Sequence, residues 1–483
     1  MGADYFNLFG LPRNATSEEI RKAFFEAARR FHPDVNPDPQ AREHFLEIQK
    51  AFDTLSDTQK RLAYAANLPD AEDNSSLSIH FEHSRAILQM FAEDQLFYSL
   101  ISLDCPENPD ESSLLPLNLC LVIDRSTSMQ GARLDTVKYS VIQLLKLLNP
   151  QDIISIVTFS DRAEIVLPPT RIENIKSIET QINSIQTGGS TEIFRGLEAG
   201  VSQLHFHFNP HSVNHIILLT DGHTYGDEDL CFNLVKDVVG EGGSISALGI
   251  GHEWNDEFLD RLTGLSGENA LFAPTPKELH DFLKEKLLAL KSVYAKNILL
   301  KFLPSEYTEL RSAFHIKPDA KPLSVTEKIQ LGSLGYGGTS TFLLEINIKS
   351  IPQGKTQLLL GTLEFIMDVP SAQVWKKRIH QEIYRRIELE PPREFVPENI
   401  ISAMEMLSLY KLQEQARQET ASGDFVQAAK HLQYLATNLL NKGEKDLGQR
   451  VLLEMNNINS NKGFSKDGDK RIKYGTRTLV NKS

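Results

Sequence analysis

Residues 117–128 read LNLCLVIDRSTS, an apolar run that ends in a short polar turn. An apolar run of this length between polar residues predicts a buried β-strand, which here ends at Asp124. Three similar runs follow along the chain, at DIISIVTFS (152–160), HIILLTD (215–221) and SISALGIG (244–251). Segments with helical spacing of apolar residues separate these runs. The alternation predicts a doubly wound α/β domain with a parallel sheet.

Oxygen-bearing side chains cluster at the predicted ends of these strands. Asp124 and Asp221 each end an apolar run, and Ser126 and Ser128 follow Asp124 at alternate positions of one turn. Thr191 follows a glycine-rich turn in another connection. Ligands of such sheets bind beyond the carboxyl ends of the strands, and Mg²⁺ prefers oxygen ligands. The sequence therefore predicts a divalent-cation site at this edge.

This arrangement resembles the von Willebrand factor A domain of bacterial type and its metal-ion-dependent adhesion site, over residues 117–290. The resemblance implies that Ser126 and Ser128 bind the cation directly, while Asp124, Thr191 and Asp221 contribute directly or through water. It also implies an open coordination position that accepts an acidic side chain from a protein partner. The expected cofactor is Mg²⁺, with Mn²⁺ or Ca²⁺ as alternatives.

The N-terminal residues 1–68 carry a separate helical pattern. Thr16 and Glu19 have the spacing of a capping box, and an apolar stripe at helical spacing follows them. Pro33 ends this predicted helix, because the residue before a proline is restricted to extended conformations. A second apolar stripe, over residues 40–55, repeats the pattern. The two stripes predict an antiparallel helical hairpin with an exposed turn.

Residues 4–64 resemble a J domain. The residues that carry the resemblance are Asp4-Tyr5, Ile20, Ala23, His32-Pro33-Asp34, Phe45-Leu46-Glu47-Ile48, Ala51, Leu55-Ser56-Asp57, Lys60-Arg61 and Tyr64. The resemblance implies that the exposed loop and a basic helix face contact a DnaK-type chaperone ATPase and stimulate its ATP hydrolysis. The implied docking residues are His32, Pro33, Asp34, Arg21, Lys22, Arg29 and Arg30. Phe25 and Glu26 depart from the family, in which both positions are usually basic.

The segments around the α/β domain complete a multidomain prediction. Residues 78–116 and 295–370 have strand-like texture and predict one β-sandwich whose sequence is split by the α/β domain. The other predicted segments are a linker at 69–77, a proline-marked linker at 371–397, a helical C-terminal region at 398–457 and a basic tail at 458–483. The predicted fold class is therefore an N-terminal helical J-domain hairpin, a doubly wound α/β von Willebrand A domain, a split β-sandwich and C-terminal helices.

Composition narrows the class of partner. The formal net charge of −13 argues against nucleic-acid binding through long-range attraction. No apolar run approaches the roughly 20 residues that cross a bilayer, so no membrane span is expected. Cys105, Cys120 and Cys231 are widely spaced and form no disulfide framework, which favours a reducing compartment. We therefore expect a cytoplasmic protein.

Histidines are frequent between residues 205 and 223. The group consists of His205, His207, His211, His215 and His223. Its spacing fits no standard zinc pattern, so we interpret it as a solvated connection.

Two functional hypotheses remain open. The first is a J-domain co-chaperone whose metal-binding module selects a client or assembly partner and whose J domain recruits a DnaK-type ATPase. The second is a metal-dependent interaction scaffold in which the J domain is a docking module without strong ATPase stimulation. No catalytic constellation is evident in the sequence, so we do not expect an enzyme.

Overall fold

The structure is a computed structural model. It describes residues 5–9, 11, 15, 17–31, 39–57, 60–61, 64, 77–90, 93–107, 114–222, 226–351 and 354–479. Within these ranges the chain forms a helical N-terminal unit, an α/β unit, a β-sandwich and a C-terminal helical unit. The predicted fold class is confirmed. None of the described helices combines the length and apolar character that a bilayer crossing requires.

The N-terminal unit is a helical hairpin held by its apolar stripes. Its helices are α1 (Tyr5–Leu8), α2 (Ser17–Phe31) and α3 (Pro39–Leu55). Ile20 of α2 and Ile48 of α3 are buried in one core, and Phe24 stacks on Phe52 with ring centroids 4.0 Å apart. The predicted docking loop, His32-Pro33-Asp34, lies outside the described residues.

The α/β unit contains a sheet with the strand order β6-β5-β4-β7-β8-β9. Its strands are β4 (Leu117–Asp124), β5 (Ile153–Phe159), β6 (Ala163–Arg171), β7 (Val213–Thr220), β8 (Ser244–Ile250) and β9 (Ala270–Ala273). Neighbouring strands are parallel, except that β6 is antiparallel to β5. A parallel sheet needs crossover connections, and helices supply them here.

Helices cover both faces of this sheet. They are α4 (Ala132–Leu145), α5 (Ile175–Asn183), α6 (Ile193–His205), α7 (Glu228–Gly240), α8 (Asp256–Gly264) and α9 (Pro276–Lys291). Leu119 and Leu121 of β4 lie in the core shared with α4, α5 and α9, whereas Cys120 and Val122 lie in the core shared with α6, α7 and α8. Alternate side chains of one strand thus enter opposite cores, which explains why β4 carries apolar residues on both of its faces.

Two five-stranded sheets form the β-sandwich and enclose one apolar core. One sheet has the order β1-β3-β14-β11-β12 and the other has the order β13-β10-β15-β16-β2. The strands are β1 (Ser78–His83), β2 (Ile87–Gln89), β3 (Gln95–Asp104), β10 (Val293–Pro304), β11 (Thr308–Lys317), β12 (Lys321–Leu323), β13 (Ile329–Gly335), β14 (Thr339–Ile348), β15 (Gln357–Val369) and β16 (Val374–Glu388). Strand β3 pairs with β14 along its whole length, so segments on both sides of the α/β unit build one sheet.

The prediction of a linker at residues 371–397 is wrong. Strand β16 occupies most of this segment and pairs antiparallel with β15 and, at its end, parallel with β2. Ile383 and Ile387 are buried in the sandwich core, while charged side chains on the opposite face are exposed. A strand with one solvated face carries few apolar residues, so its sequence pattern is weak. The prolines that follow the strand therefore led to the prediction of a linker over the whole segment.

The C-terminal unit consists of α10 (Glu398–Ser422), α11 (Phe425–Asn441), α12 (Lys445–Asn461) and α13 (Gly468–Arg477). Gly423 ends α10 in the left-handed conformation, with φ of 86°. The Asp424 carboxylate then caps α11 by accepting a hydrogen bond from the Gln427 N–H at 3.2 Å. Leu432, Leu439 and Val451 are among the residues of a core that α10 to α13 share.

The prediction of a basic tail at residues 458–483 is also wrong, because α13 packs its basic side chains into the protein. Lys470, Lys473 and Arg477 are buried. Arg477 donates two hydrogen bonds to the Asp260 carboxylate of α8, at 2.8 and 2.7 Å. Lys473 pairs with Asp256 and with Asp260. The acidic side chains of α8 therefore pair with the basic side chains of α13 and allow this helix to be buried against the α/β unit.

Candidate metal centre

Asp124 ends a central strand of the α/β sheet and is fully buried. Its carboxylate oxygens accept hydrogen bonds from the Ser126 N–H at 2.8 Å and from Thr220 Oγ1 at 2.7 Å. Burial raises the pKa of this carboxyl, and the hydrogen bonds from Ser126 and Thr220 oppose that shift. Asp124 therefore ties the turn after β4 to the end of β7. Thr220, which the sequence did not single out, is its second anchor.

The two predicted serines face each other across the turn. Ser126 Oγ and Ser128 Oγ are 2.9 Å apart, and Ser128 Oγ donates to Asp221 Oδ1 at 2.6 Å. Ser126 has φ of −55° and ψ of 167°, and the short 3₁₀ turn Thr127–Met129, which carries Ser128, begins directly after it. Asp221 itself is buried. Three of the five predicted oxygen donors are thus in direct contact.

Thr191 joins the group through the glycine-rich turn before it. The Thr127 N–H donates to the Gly189 carbonyl at 3.2 Å, which fixes that turn against the serine turn. Gly189 has φ of 83°, and an added Cβ would lie 2.4 Å from Asp161 Oδ1, so only glycine fits. A Cβ on Gly222, next to Asp221, would lie 3.0 Å from Thr191 Oγ1. Thr191 therefore lies beside Gly222, the residue that follows Asp221, at the same edge of the sheet as the other predicted residues.

Arg133, which is not among the residues predicted from the sequence, also contacts this centre. Its Nη1 atom lies 2.5 Å from Asp221 Oδ2 and donates to the Ser128 carbonyl at 3.1 Å. Arg133 is in the first turn of α4, directly after the serine turn. That position, five residues after Ser128, is the sequence signal that could have identified it.

The donor set fits a hard divalent cation. It combines two carboxylates and three hydroxyls, and Mg²⁺ takes oxygen ligands of this kind. The contacts between Ser126, Ser128 and Asp221 show that these oxygens converge. No group of three or more His, Cys, Asp or Glu side chains is placed to hold a metal within the described ranges. The candidate centre is therefore this mixed hydroxyl and carboxylate set.

The histidine group is more varied than predicted. His215 lies on β7 and is fully buried, so its placement in a solvated connection is wrong. Its two ring nitrogens lie 2.6 Å from Ser244 Oγ and 2.6 Å from Ser246 Oγ. Burial lowers the pKa of His215 to about 3, so this side chain stays neutral. His223 lies outside the described residues.

The predicted docking face of the helical hairpin is described in part. Arg21, Lys22 and Arg29 are exposed on α2. Arg30 belongs to the same helix, but its side chain lies outside the described residues. Phe25, at a position where the J-domain family usually has a basic residue, is 67% exposed. The face thus combines three exposed basic residues with one exposed aromatic ring.

Three family models match separate parts of the chain. Residues 4–65 match the DnaJ domain, residues 118–285 match the von Willebrand factor type A domain, and residues 398–482 match the Sll0103-like, C-terminal alpha-helical domain. The first two matches confirm the resemblances found in the sequence. The third match covers α10 to α13, and it includes most of residues 458–483, which were predicted to form a basic tail.

Relatives are similar to parts of the chain rather than to the whole. An uncharacterized protein of Synechocystis sp., sll0103, is 29% identical over 273 residues, which are 54% of this chain and 64% of that protein. Chaperone protein DnaJ 2 of Thermus thermophilus is 52% identical over 61 residues, which are 13% of this chain and 22% of that protein. The chain thus covers less than two thirds of the length of either relative.

Solved structures share the fold at low sequence identity. A von Willebrand factor type A protein from Catenulispora acidiphila has a TM-score of 0.66 at 13% identity, and the alignment covers 84% of this chain and 98% of that one. The ArnB paralog VWA2 from Sulfolobus acidocaldarius has a TM-score of 0.50 at 17% identity, covering 84% of this chain and 99% of that one. At such identities the likeness extends to the fold alone.

Proposed function

Because the chain joins a J domain to a von Willebrand factor A domain, we propose that it is a co-chaperone that brings a DnaK-type ATPase to a bound protein. The proposed ATPase-docking residues are His32, Pro33, Asp34, Arg21, Lys22, Arg29 and Arg30. The α/β unit binds the client or assembly partner through a divalent cation, with Mg²⁺ as the first candidate. The three cysteines are free and buried, which is consistent with a cytoplasmic site of action.

One observation carries the binding half of this proposal: Ser128 Oγ lies within hydrogen-bonding distance of both Ser126 Oγ and Asp221 Oδ1. The Asp124 carboxylate accepts hydrogen bonds from the Ser126 N–H and from Thr220, and these bonds hold the turn in place. The hydroxyls of the turn are therefore positioned before a ligand binds. A divalent cation bound there would supply a positive site for a carboxylate of a protein partner. Ser128 is exposed, so such a partner has access to this edge of the sheet.

The J-domain half rests on the hairpin core and on the basic residues of α2. Ile20, Ile48 and Phe52 hold the two helices together, and Arg21, Lys22 and Arg29 lie on the outside. Cationic side chains on a rigid helix favour a partner with an acidic surface. A DnaK-type ATPase is the partner that this domain implies.

The scaffold alternative is favoured by one residue. Phe25 exposes 67% of its surface at a position where a basic side chain is usual in the J-domain family. An aromatic ring there removes one charge from the face that docks the ATPase. Weak or absent ATPase stimulation by the full-length wild-type protein would select this alternative.

The test of the co-chaperone function is ATP hydrolysis by a DnaK-type chaperone from the same organism. We expect the full chain to stimulate steady-state hydrolysis several-fold, and His32→Gln to return the rate to the basal value. This variant replaces His32 by a neutral side chain of similar size.

A matched control keeps the J domain and removes the candidate metal centre. The double variant Ser126→Ala/Ser128→Ala should stimulate the ATPase as well as the wild type, since α1 to α3 are unchanged. Equal stimulation by the wild type and by His32→Gln would contradict the assigned role of the loop.

A further inference from the structure

Arg133 places a permanent positive charge on a carboxylate of the candidate metal centre. Its Nη1 atom contacts Asp221 Oδ2 at 2.5 Å, while the other carboxylate oxygen accepts the Ser128 hydroxyl at 2.6 Å. The same Nη1 donates to the Ser128 carbonyl. Asp221 is buried, whereas the Arg133 side chain is 35% exposed. The arginine can therefore swing into solvent, and the aspartate cannot.

The guanidinium also touches the connection that follows β8. A Cβ built on Gly251 would lie 3.2 Å from Arg133 Nη2 and 3.3 Å from its Cζ, so the guanidinium packs directly on this glycine. Gly251 has φ of 72°, a conformation in which glycine is favoured. Arg133 thus links the ends of β4, β7 and β8 by one side chain.

The same connection is held from the other side by the C-terminal unit. Lys470 of α13 donates to the carbonyls of His252 and Trp254, at 2.6 Å each. The Trp254 indole donates to the Gly251 carbonyl at 3.2 Å, and its ring lies 5.7 Å from that of Tyr474. Residues 251–254, here called the β8 loop, therefore lie between the candidate metal centre and α13.

Like charges cannot share Asp221 without a large electrostatic cost. A guanidinium on Oδ2 and a divalent cation at the same carboxylate would repel each other within a few ångströms, in a partly buried setting where water screens poorly. We propose that Arg133 and the divalent cation are alternative occupants of Asp221, and that release of Arg133 transmits cation binding to the β8 loop and α13. This inference rests on the metal centre proposed above.

The competition is tested by Mn²⁺ titration of the full chain, with free Mn²⁺ measured by electron paramagnetic resonance. We expect the dissociation constant of Arg133→Gln to be about tenfold lower than that of the wild type, because the competing charge is gone. Arg162→Gln is the matched control. It removes the same charge from an exposed side chain of the same unit that pairs with Glu164, and it should stay within about twofold of the wild type.

The outcomes of the Mn²⁺ titration distinguish a failure of the competition from a failure of the proposed metal centre. An unchanged or higher dissociation constant in Arg133→Gln, with binding by the wild type, overturns the competition and leaves the metal centre standing. Failure of both the wild type and Arg133→Gln to bind Mn²⁺ refutes the centre and the competition together. Binding by Arg133→Gln alone would support the competition in its strongest form.

Transmission to the β8 loop has its own readout. Trp254 and Trp375 are the two tryptophans of the chain, so Trp375→Phe leaves Trp254 as the single fluorophore. In that background, saturating Mn²⁺ or Mg²⁺ should change the emission of Trp254, and adding Arg133→Gln should abolish the change. Mg²⁺, which does not quench fluorescence, is the decisive ion. No change despite binding, or an equal change in both proteins, would overturn transmission through Arg133.

Discussion

Replacement of Asp260 by alanine is expected to lower the free energy of unfolding by about 3 to 5 kcal/mol, because it removes the carboxylate that pairs with the buried Arg477 and one of the two that pair with Lys473. Arg477 donates two hydrogen bonds to this carboxylate, and Lys473 Nζ lies 2.7 Å from it. The side chains of Arg477 and Lys473 are only 8% and 4% exposed. Neither can reach water without moving α13. Urea unfolding followed by circular dichroism measures the effect.

The pKa of Asp260 gives the same prediction a pH dependence. Burial alone would raise this pKa, but Arg477 and Lys473 beside the carboxylate lower it to about 2. A carboxyl whose pKa is lower in the folded state stabilises the fold at pH values above its unfolded pKa of about 4. This stabilisation should fall as the pH drops from about 4 to about 2, and Asp260→Ala should lack that part of the acid sensitivity.

Glu257→Gln is the matched control on the same helix. Glu257 pairs with Arg417 only at 3.9 Å and its side chain is 80% exposed, so a change within about 0.5 kcal/mol is expected. Faster proteolysis of the segment between α12 and α13 in Asp260→Ala would show that α13 has detached. A loss no larger than that of Glu257→Gln would contradict the docking role of Asp260.

Removal of both hydroxyls in Ser126→Ala/Ser128→Ala is expected to weaken Mg²⁺ binding by roughly a hundredfold or more, since two of five oxygen donors are lost. A ligand present at 100 times its dissociation constant stabilises a protein by about 2.7 kcal/mol. The wild type should therefore melt at a higher temperature when Mg²⁺ is added, and the double variant should not. Differential scanning calorimetry with and without MgCl₂ provides the measurement.

Thr127→Ala is the control within the same turn. Thr127 lies between the two serines in sequence and is exposed, and its variant also removes one hydroxyl. It should keep the full Mg²⁺-dependent rise in melting temperature. An equal rise in the double serine variant would place the cation elsewhere.

The residues of the candidate centre could be predicted because strand ends obey a simple geometric rule. The apolar runs at 117–124 and 215–220 mark adjacent parallel strands, so the oxygens that follow them must lie at one edge. Ser126 and Ser128 lie two residues apart in the turn after the first of these strands, and their hydroxyls are in contact. Each step needs only local sequence and the direction of the strands.

The contact of Arg133 with the centre and the packing of α13 could not be predicted from the sequence, for a different physical reason. Their roles depend on partners far away in the chain: Arg133 pairs with Asp221, and Arg477 pairs with Asp260. A basic segment such as residues 470–477 is usually solvated, and only acidic residues of another unit make its burial favourable. Local patterns carry no information about such pairings. Strand β16 was not predicted for another reason. Its exposed face is charged, so its own sequence does not distinguish a strand from a linker.

Isothermal titration of the full chain with MgCl₂ measures whether Ser126, Ser128, Asp221 and their neighbours hold a divalent cation. We expect one Mg²⁺ per chain for the wild type and for Thr127→Ala, and no saturable heat for Ser126→Ala/Ser128→Ala. Absence of saturable binding in both the wild type and Arg133→Gln, or binding that is unchanged in the double serine variant, would contradict the assignment of the cation to these residues.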